Sequence, residues 1–152
     1  MTNLSSHFIR RARPGDYDRI APVMDQWWGR PVLDALPRLF LDHFHRTSLV
    51  AENDAGLSGF LIGIVSPSEL DQAYVHVVGV HPAARGIGLA RALYDHFLQL
   101  ARGADRRVVR AITSLANDQS ILMHRRLGFR VSGPVPDYNG PGRDMMVFER
   151  AL

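Results

Sequence analysis

The segment from Val75 to Leu93 constrains the fold of this chain more than any other part of its sequence. It opens with a run rich in valine, and β-branched residues in an apolar run are typical of a buried strand. Pro82 ends that strand, because proline has no amide hydrogen to donate to a neighbouring strand. Apolar residues then recur at helical spacing, at Leu89, Leu93, Phe97 and Leu100. The sequence therefore predicts a strand over 73–80, a turn, and a helix over 88–102.

The turn between this strand and this helix contains two glycines, Gly86 and Gly88. Glycine adopts backbone conformations that other residues avoid, and it lets a ligand approach the main chain closely. The first amides of a helix have no intrahelical acceptor, and the positive end of the helix dipole adds to their attraction for an anion. The segment therefore predicts a phosphate-binding turn, although an ordinary strand-to-helix connection could show the same residues.

Spacing narrows the kind of phosphate-binding turn. A nucleotide P-loop requires a lysine after its second glycine, and this sequence contains no lysine. The dinucleotide fingerprint G-x-G-x-x-G requires glycine or alanine where Arg91 stands. The pattern that does fit is Arg85-x-x-Gly88-x-Ala90. It resembles the R/Q-x-x-G-x-G/A signature of the GCN5-related N-acetyltransferases, the GNAT superfamily.

A second segment, at 118–127, has the end signals of a helix. Asn117 is a favourable N-cap, and Gly128 suits the position just after the last turn. Asn117, Ser120 and His124 are separated by three and four residues, so they share one face of this helix. The segment resembles the second GNAT motif, N-x-x-A-x-x-x-Y-x-x-x-G-F, with Ser120 in place of the alanine and His124 in place of the tyrosine.

The resemblance implies a single N-acetyltransferase domain over residues 1–152 with the GNAT fold. That fold is of the α/β (α+β) type, a mixed and mainly antiparallel sheet of six or seven strands flanked by about four helices. The pattern of this sequence fits it, with further strands expected near 8–13, 49–52, 57–65, 107–113, 129–133 and 144–150. Further helices are expected over 16–28 and 36–44, and Pro22 predicts a kink or a broken start in the first of them.

The resemblance also implies acetyl-coenzyme A as cofactor, with direct transfer of its acetyl group to an amine in a ternary complex. Cofactor contacts are then expected at the end of the valine-rich strand, from Val78, Gly79 and Val80. The pyrophosphate is expected at the turn and the helix start, against Arg85, Gly86, Ile87, Gly88, Leu89, Ala90 and Arg91. The second motif adds Asn117, Ser120 and His124 to the expected cofactor-binding residues.

The candidate catalytic residues depart from the family pattern. His124, where most of the family has tyrosine, is expected either to protonate or hydrogen-bond the departing thiolate, or only to pack beside the cofactor. The strand at 73–80 has no carboxylate where many relatives keep a glutamate. Tyr74 and His76 share one face of that strand and are candidates for the general base, with a core histidine as the alternative for His76. Glu52 is a more distant candidate.

The resemblance places the acceptor pocket at the first two helices and at the loop between the last two strands. Trp27, Trp28 and Tyr138 lie in those segments. Aromatic walls together with Asp137 or Asp144 would suit an ammonium group, and the same residue types also suit a core and a turn. The acceptor is therefore expected to be a small-molecule or peptide amine of unidentified structure.

Composition argues against several other classes of protein. The sequence has no cysteine, hence no disulfide, no thiolate metal site and no cysteine nucleophile. His43 and His45 lie two residues apart on a predicted helix and diverge, so no metal site is expected. All 18 basic residues are arginines without interleaved aromatics, so no nucleic-acid partner is expected. The sequence has neither a long apolar run nor a secretory hydrophobic region, so we expect no membrane partner and a cytoplasmic location. A homodimer stays open.

Three functions other than N-acetyltransfer stay open. A degenerate member of the same fold could bind acyl-coenzyme A without turnover, as a sensor or interaction domain, because both the strand glutamate and the helix tyrosine are missing. A dinucleotide-binding oxidoreductase is opposed by Arg91 and by the lack of a repeated βαβ pattern. An RNA-binding module is the third, and a steep salt dependence of binding would support it.

Overall fold

Seven strands and four α-helices make up the regular structure of residues 3–152, which the computed structural model describes. The strands are β1 (Phe8–Arg11), β2 (Leu49–Asn53), β3 (Gly56–Val65), β4 (Gln72–Val80), β5 (Val108–Ser114), β6 (Arg130–Val135) and β7 (Met145–Ala151). The helices are α1 (Tyr17–Trp28), α2 (Leu39–Phe44), α3 (Leu89–Gly103) and α4 (Asp118–Arg126). The strands form a seven-stranded, mostly antiparallel sheet, which confirms the predicted fold class.

Contacts within the chain divide it into two units. The first contains the chain up to Ile64 together with Val75–Leu100, and the second contains Val65–Tyr74 together with Ala101–Leu152. The expectation of one domain over the whole sequence stays a prediction. Within residues 3–152, no helix is long and apolar enough to cross a membrane.

In the first unit, α1 and α2 pack on the antiparallel strands β1, β2 and β3. Val50 of β2 lies opposite Phe60 of β3, and both side chains are fully buried. The buried residues of α1 are Ile20, Met24 and Trp27, and their spacing of four and three residues places them on one face of the helix. The buried core of this unit consists of Ala12, Ile20, Met24, Trp27, Leu36, Leu41, Val50, Phe60 and Ile62.

Two details of these helices differ from the sequence prediction. α1 runs from Tyr17 to Trp28 as one helix with the exposed Pro22 inside it, so the predicted break is absent, and the predicted kink stays a prediction. α2 begins at Leu39, three residues later than predicted. Pro37 and Leu36 lie before it, and the Phe40 amide donates to the Pro37 carbonyl at 3.1 Å in a tighter first turn.

In the second unit, β7 lies between β5 and β6. Phe148 of β7 is opposite Ala111 of β5 and Val131 of β6, and it is fully buried. α4 ends as its sequence predicts: Gly128 has a φ of +86°, and the Phe129 amide donates to the His124 carbonyl at 2.9 Å. This hydrogen bond closes the last turn of α4 and fixes the backbone on either side of His124.

Candidate functional site

The glycine turn lies between the end of β4 and the start of α3, as predicted. Gly86 has a φ of +81° and Gly88 a φ of +86°, a region that favours glycine. A Cβ atom at either position would meet no protein atom within 4 Å, so open space borders both residues. The Ala92 amide donates to the Gly88 carbonyl at 3.0 Å, which places the start of α3 at this turn, and the first amides of a helix in general lack an acceptor within it. Open space, helix-start amides and the positive end of the helix dipole fit a phosphate group.

The start of α3 is held by apolar packing against β3. Leu89 and Leu93 are fully buried, and a Cβ at Gly59 would lie 3.3 Å from a methyl carbon of each. The absence of a side chain at Gly59 therefore lets α3 approach the strand closely. This packing fixes the direction in which the first amides of α3 point.

The end of β4 is packed against the last turn of α1. Gly79 is buried, and a Cβ built on it would lie 2.7 Å from the ring of Trp28 and 2.8 Å from the ring of Phe60. Only glycine fits here without moving one of these rings. Val78 and Val80, on either side of it, are half-buried.

The two tryptophans proposed for the acceptor pocket are part of this packing. Trp27 is 5% exposed, stacks on Phe60 with centroids 5.8 Å apart, and meets the edge of His81 at 5.4 Å. Trp28 is half-buried and tilted against Phe60 at 6.1 Å. These contacts favour the core alternative for Trp27 and leave only the partly exposed Trp28 able to touch a ligand.

Arg85, the first residue of the glycine motif, uses its guanidinium group on main-chain oxygens. Nη2 donates to the Trp27 carbonyl at 2.6 Å, and Nε donates to the Val80 carbonyl at 3.3 Å. The resemblance implies a contact between this side chain and the pyrophosphate. In the structure the partners of this side chain lie in α1 and β4, and its contact with the pyrophosphate stays a prediction.

Two residues orient the His76 side chain: Ala35, which precedes α2, and Phe40, which lies within α2. Its Nε2 donates to the Ala35 carbonyl at 2.5 Å, and its ring stacks on Phe40 with centroids 4.2 Å apart and planes 4° from parallel. Because a carbonyl only accepts, Nε2 carries the proton and Nδ1 is the basic nitrogen of the neutral ring. The side chain is half-buried, so a proton can reach it from solvent.

Neither Ala35 nor Phe40 stands out as a site residue in the sequence. The available signal was Pro37, which disfavours helical backbone at Leu36 and so leaves Ala35 in a turn. A turn carbonyl outside helix and sheet pairing can accept a hydrogen bond from a distant side chain. The sequence does not show which donor meets it, since His76 lies 41 residues away.

Glu52 does not suit the role of base. Arg10 donates to it at 2.6 Å and Arg19 at 2.9 Å. These hydrogen bonds, that of Arg10 foremost, hold the pKa of the Glu52 carboxyl below its ordinary value. Arg10 also pairs with Asp16, which is 5% exposed, so Glu52 belongs to an ion-pair network that ties β1 and β2 to the start of α1.

In the second unit, His124 lies inside the core beside β7. The residue is 3% exposed, and its ring stacks on Phe148 with centroids 3.9 Å apart and planes 10° from parallel. Phe129 meets it edge-on at 5.2 Å, and Nδ1 donates to the Ser120 carbonyl at 2.7 Å. Burial lowers the pKa of His124 to about 4, and the bond to the Ser120 carbonyl opposes this only in part.

These surroundings bear on the predicted role of His124. At neutral pH the imidazole is uncharged, its proton is on Nδ1, and Nε2 accepts rather than donates. A ring in this state has no proton to give to a thiolate. The contacts therefore favour packing over proton donation, the two alternatives that the sequence left open.

The other polar residues of the second motif serve α4 itself. The Asn117 side chain accepts from the Ser120 amide at 3.2 Å, which confirms Asn117 as the N-cap. The Ser120 hydroxyl lies 3.3 Å from Nδ1 of His124. Cofactor contact by Asn117, Ser120 and His124 stays a prediction.

Tyr74 belongs to the second unit, near the loop that joins β6 to β7. Burial raises the pKa of Tyr74 to about 12, and Tyr138 adds to the rise. A phenol with this pKa keeps its proton at neutrality, so Tyr74 suits a hydrogen-bond donor rather than a base. Tyr138 is 54% exposed, so its ring is open to a ligand.

The two aspartates of this loop hold the loop together. Asp137 accepts from the Gly142 amide at 2.7 Å, and Asp144 accepts from the Asp137 amide at 2.8 Å. These bonds favour the turn alternative over capture of an ammonium group. Among residues 3–152, no group of three or more histidine, cysteine, aspartate or glutamate side chains is placed to hold a metal ion.

Comparison with known proteins identifies the family. The chain belongs to the Acetyltransferase (GNAT) family, whose sequence profile matches residues 15–129. Its fold is similar to that of yncA from Salmonella typhimurium, solved with its cofactor acetyl-CoA, with a TM-score of 0.73 and 24% identity over 97% of this chain and 94% of that one. The predicted GNAT fold is thereby confirmed.

Two curated relatives are acetyltransferases of amino-acid-like compounds. The chain is 33% identical over 85 residues to the L-2,4-diaminobutyric acid acetyltransferase of Vibrio cholerae, covering 56% of this chain and 49% of that protein. It is 39% identical over 61 residues to the L-methionine sulfoximine/L-methionine sulfone acetyltransferase of Salmonella typhimurium, covering 40% and 36%. The matched part of the chain thus spans half the length of these relatives or less.

The buried state of His124 predicts how the stability of the protein depends on pH. The unfolded histidine titrates near 6.5 and the folded one near 4, so protons favour the unfolded chain between these values. Stability is therefore expected to fall with pH from about 6.5 to about 4, by about 3 kcal/mol for this group. His124→Phe should lose this part of the pH dependence, as measured by urea unfolding at pH 7 and pH 5.

His96→Phe is the matched control for that experiment. His96 also bonds a carbonyl four residues earlier, that of Ala92 at 2.9 Å, but its ring is exposed. The control should keep the pH dependence of the parent. An equal pH dependence in the parent and in His124→Phe would contradict a buried, neutral His124.

Proposed function

We propose that this protein is an N-acetyltransferase that moves an acetyl group from acetyl-CoA to a primary amine of a small molecule or peptide, by direct attack in a ternary complex. The observation that carries the proposal is the glycine turn between β4 and α3. In a chain of this family, left-handed glycines, open space beside them and helix-start amides together support a site for the pyrophosphate of the cofactor.

The residues proposed to hold acetyl-CoA are main-chain groups of β4 and of the turn. Amides from Gly86 to Arg91 would bind the pyrophosphate, and the main chain of Val78–Val80 would bind the pantetheine and orient the acyl group. The bound cofactor supplies an activated thioester. Everything else the reaction needs must come from the protein: a neutral amine, a polarised carbonyl and a proton for the thiolate.

We propose His76 as the general base. The proton of the incoming ammonium would pass to Nδ1, directly or through a water molecule, while Nε2 stays bonded to Ala35. The Ala35 carbonyl then accepts a charge-assisted hydrogen bond from the protonated ring. Stacking on Phe40 keeps the ring in one orientation throughout.

For the proton that returns to the thiolate, Tyr74 is the better proposed donor. Its raised pKa keeps the phenol protonated, whereas His124 is neutral with its only proton held by Ser120. We propose that His124 packs the core beside β7 and that Tyr138 contacts the acceptor. Binding of acyl-CoA without turnover is the second candidate function, and the missing strand carboxylate favours it.

The proposed acceptor class is an amino acid or a similar small amine. The curated relatives act on diaminobutyric acid and on methionine sulfoximine or sulfone, which share an α-amino acid group. A peptide acceptor, a homodimer and a cytoplasmic location are further proposals, each of which rests on the sequence alone.

The test is thiol release from acetyl-CoA by the purified protein with a panel of amines. The panel contains 2,4-diaminobutyrate, methionine sulfone, methionine sulfoximine and a short peptide with a free N-terminus. We expect release with at least one amino-acid amine. Gly88→Asp should release none, because it sets a side chain and a negative charge in the open space beside the turn.

Gly103→Asp is the matched control, since it makes the same change at the other end of α3, also in open space but without a left-handed backbone. It should release thiol as the parent does. Cofactor binding without release for any amine would transfer support to the binding-only function. Absence of cofactor binding by the folded parent would overturn both.

His76→Gln tests the base. Glutamine keeps an N–H donor for the Ala35 carbonyl but accepts no proton near neutrality, so kcat should fall by about 10²–10⁴-fold with little change in the KM for acetyl-CoA. Activity should recover as the pH approaches the pKa of the amine, where the acceptor is already neutral. Equal pH profiles for variant and parent would remove His76 from this role.

A further inference from the structure

Arg85 differs from the rest of the turn in where its side chain is bound. Nη2 donates to the Trp27 carbonyl at 2.6 Å and Nε to the Val80 carbonyl at 3.3 Å. The two acceptors belong to α1 and β4. One guanidinium group therefore connects a helix end, a strand end and the turn to which Arg85 itself belongs.

The Trp27 carbonyl is an acceptor that needs an outside donor. It lies in the last turn of α1, where carbonyls have no amide partner within the helix and where the helix dipole is negative. Gly29 ends α1 with a φ of +69°, and its amide donates to Asp25, which leaves Trp27 to another group. A short, charge-assisted bond from Arg85 meets this need.

The same helix turn touches β4 at two more places. The Trp28 ring lies against the backbone of Gly79, and the edge of His81 meets the Trp27 ring. The end of α1 is thus a fixed surface on the strand. Arg85 extends this surface to the turn that follows.

We infer that Arg85 is a positioning residue. It holds the glycine turn against the end of α1 and the end of β4 through the carbonyls of Trp27 and Val80, and it does not itself bind the pyrophosphate. The inference rests on the proposed function, since the turn it holds is the proposed cofactor site. In this role residue 85 must donate hydrogen bonds to the two carbonyls, and its positive charge contributes less than its donor groups. Glutamine should meet part of this requirement and methionine none of it.

The test compares Arg85→Gln with Arg85→Met by calorimetric titration with CoA. Both variants lose the charge, and only glutamine keeps a donor. We expect Arg85→Met to bind CoA about tenfold more weakly than the parent, as for the loss of a charge-assisted hydrogen bond, and Arg85→Gln to bind more tightly than Arg85→Met by about threefold or more. The loss in Arg85→Met should be equal at low and high salt, because a direct ion pair would weaken with salt and a positioning bond would not.

Arg102→Gln removes the same charge from an exposed arginine near the other end of α3 and should bind CoA as the parent does. Equal affinities for the glutamine and methionine variants, or a loss that shrinks at high salt, would overturn the inference in favour of direct phosphate contact. Parent-like binding by Arg85→Met would overturn it as well.

Amide hydrogen exchange without CoA separates this inference from the proposed function. The amides of Gly86, Ile87 and Gly88 should exchange faster in Arg85→Met than in the parent, with Arg85→Gln between them. If the parent bound no CoA, the proposed function would fail, and the exchange rates would still decide whether Arg85 holds the turn. Equal exchange in the parent and in Arg85→Met would overturn the inference.

Discussion

The contact between the last turn of α1 and the end of β4 is the constraint on which the rest of the first unit depends. Trp28 and Phe60 occupy the space that any side chain at residue 79 would need, so Gly79 is what allows α1 to dock on the strand. The docked helix end then presents the Trp27 carbonyl to Arg85. The docking of α1 on β4 therefore also fixes the start of the glycine turn.

Each unit contains one histidine that the sequence offers as a catalytic candidate. In the first unit the proposed functional groups are main-chain amides at a helix start, together with a half-buried histidine whose tautomer is set by the Ala35 carbonyl. The candidate histidine of the second unit, His124, is buried, and its lowered pKa makes the ring uncharged at neutral pH. Solvent access and hydrogen-bond partners, rather than residue type, separate a candidate base from a packing residue.

Local patterns in the sequence were sufficient to predict most of the fold. The apolar spacing of α3, the N-cap Asn117 and the left-handed Gly128 all depend on residues within a few positions of one another. The start of α2 was wrong because apolar residues before Pro37 continued the pattern while the proline kept the backbone out of the helix. Local signals of this kind place elements but do not place their partners.

The surroundings of the candidate residues could not be predicted from the sequence, because their partners lie far away along the chain. Arg85 finds its acceptor 58 residues away, and His76 finds its carbonyl 41 residues away. The stack of His124 on Phe148 depends on the pairing of β7 with its neighbours. The chemical character of each side chain follows from these distant contacts, which spacing along the chain does not encode.

Binding of the cofactor pyrophosphate by amides of the glycine turn is the proposal from which the others follow. The most direct measurement is an NMR titration of the ¹⁵N-labelled protein, with CoA in one series and pantetheine, which lacks the phosphates, in the other. If these amides bind the pyrophosphate, the amide resonances of Gly86 and Gly88 will shift with CoA, with one common Kd, and stay in place with pantetheine. Tight CoA binding that leaves both glycine amides unshifted would contradict it.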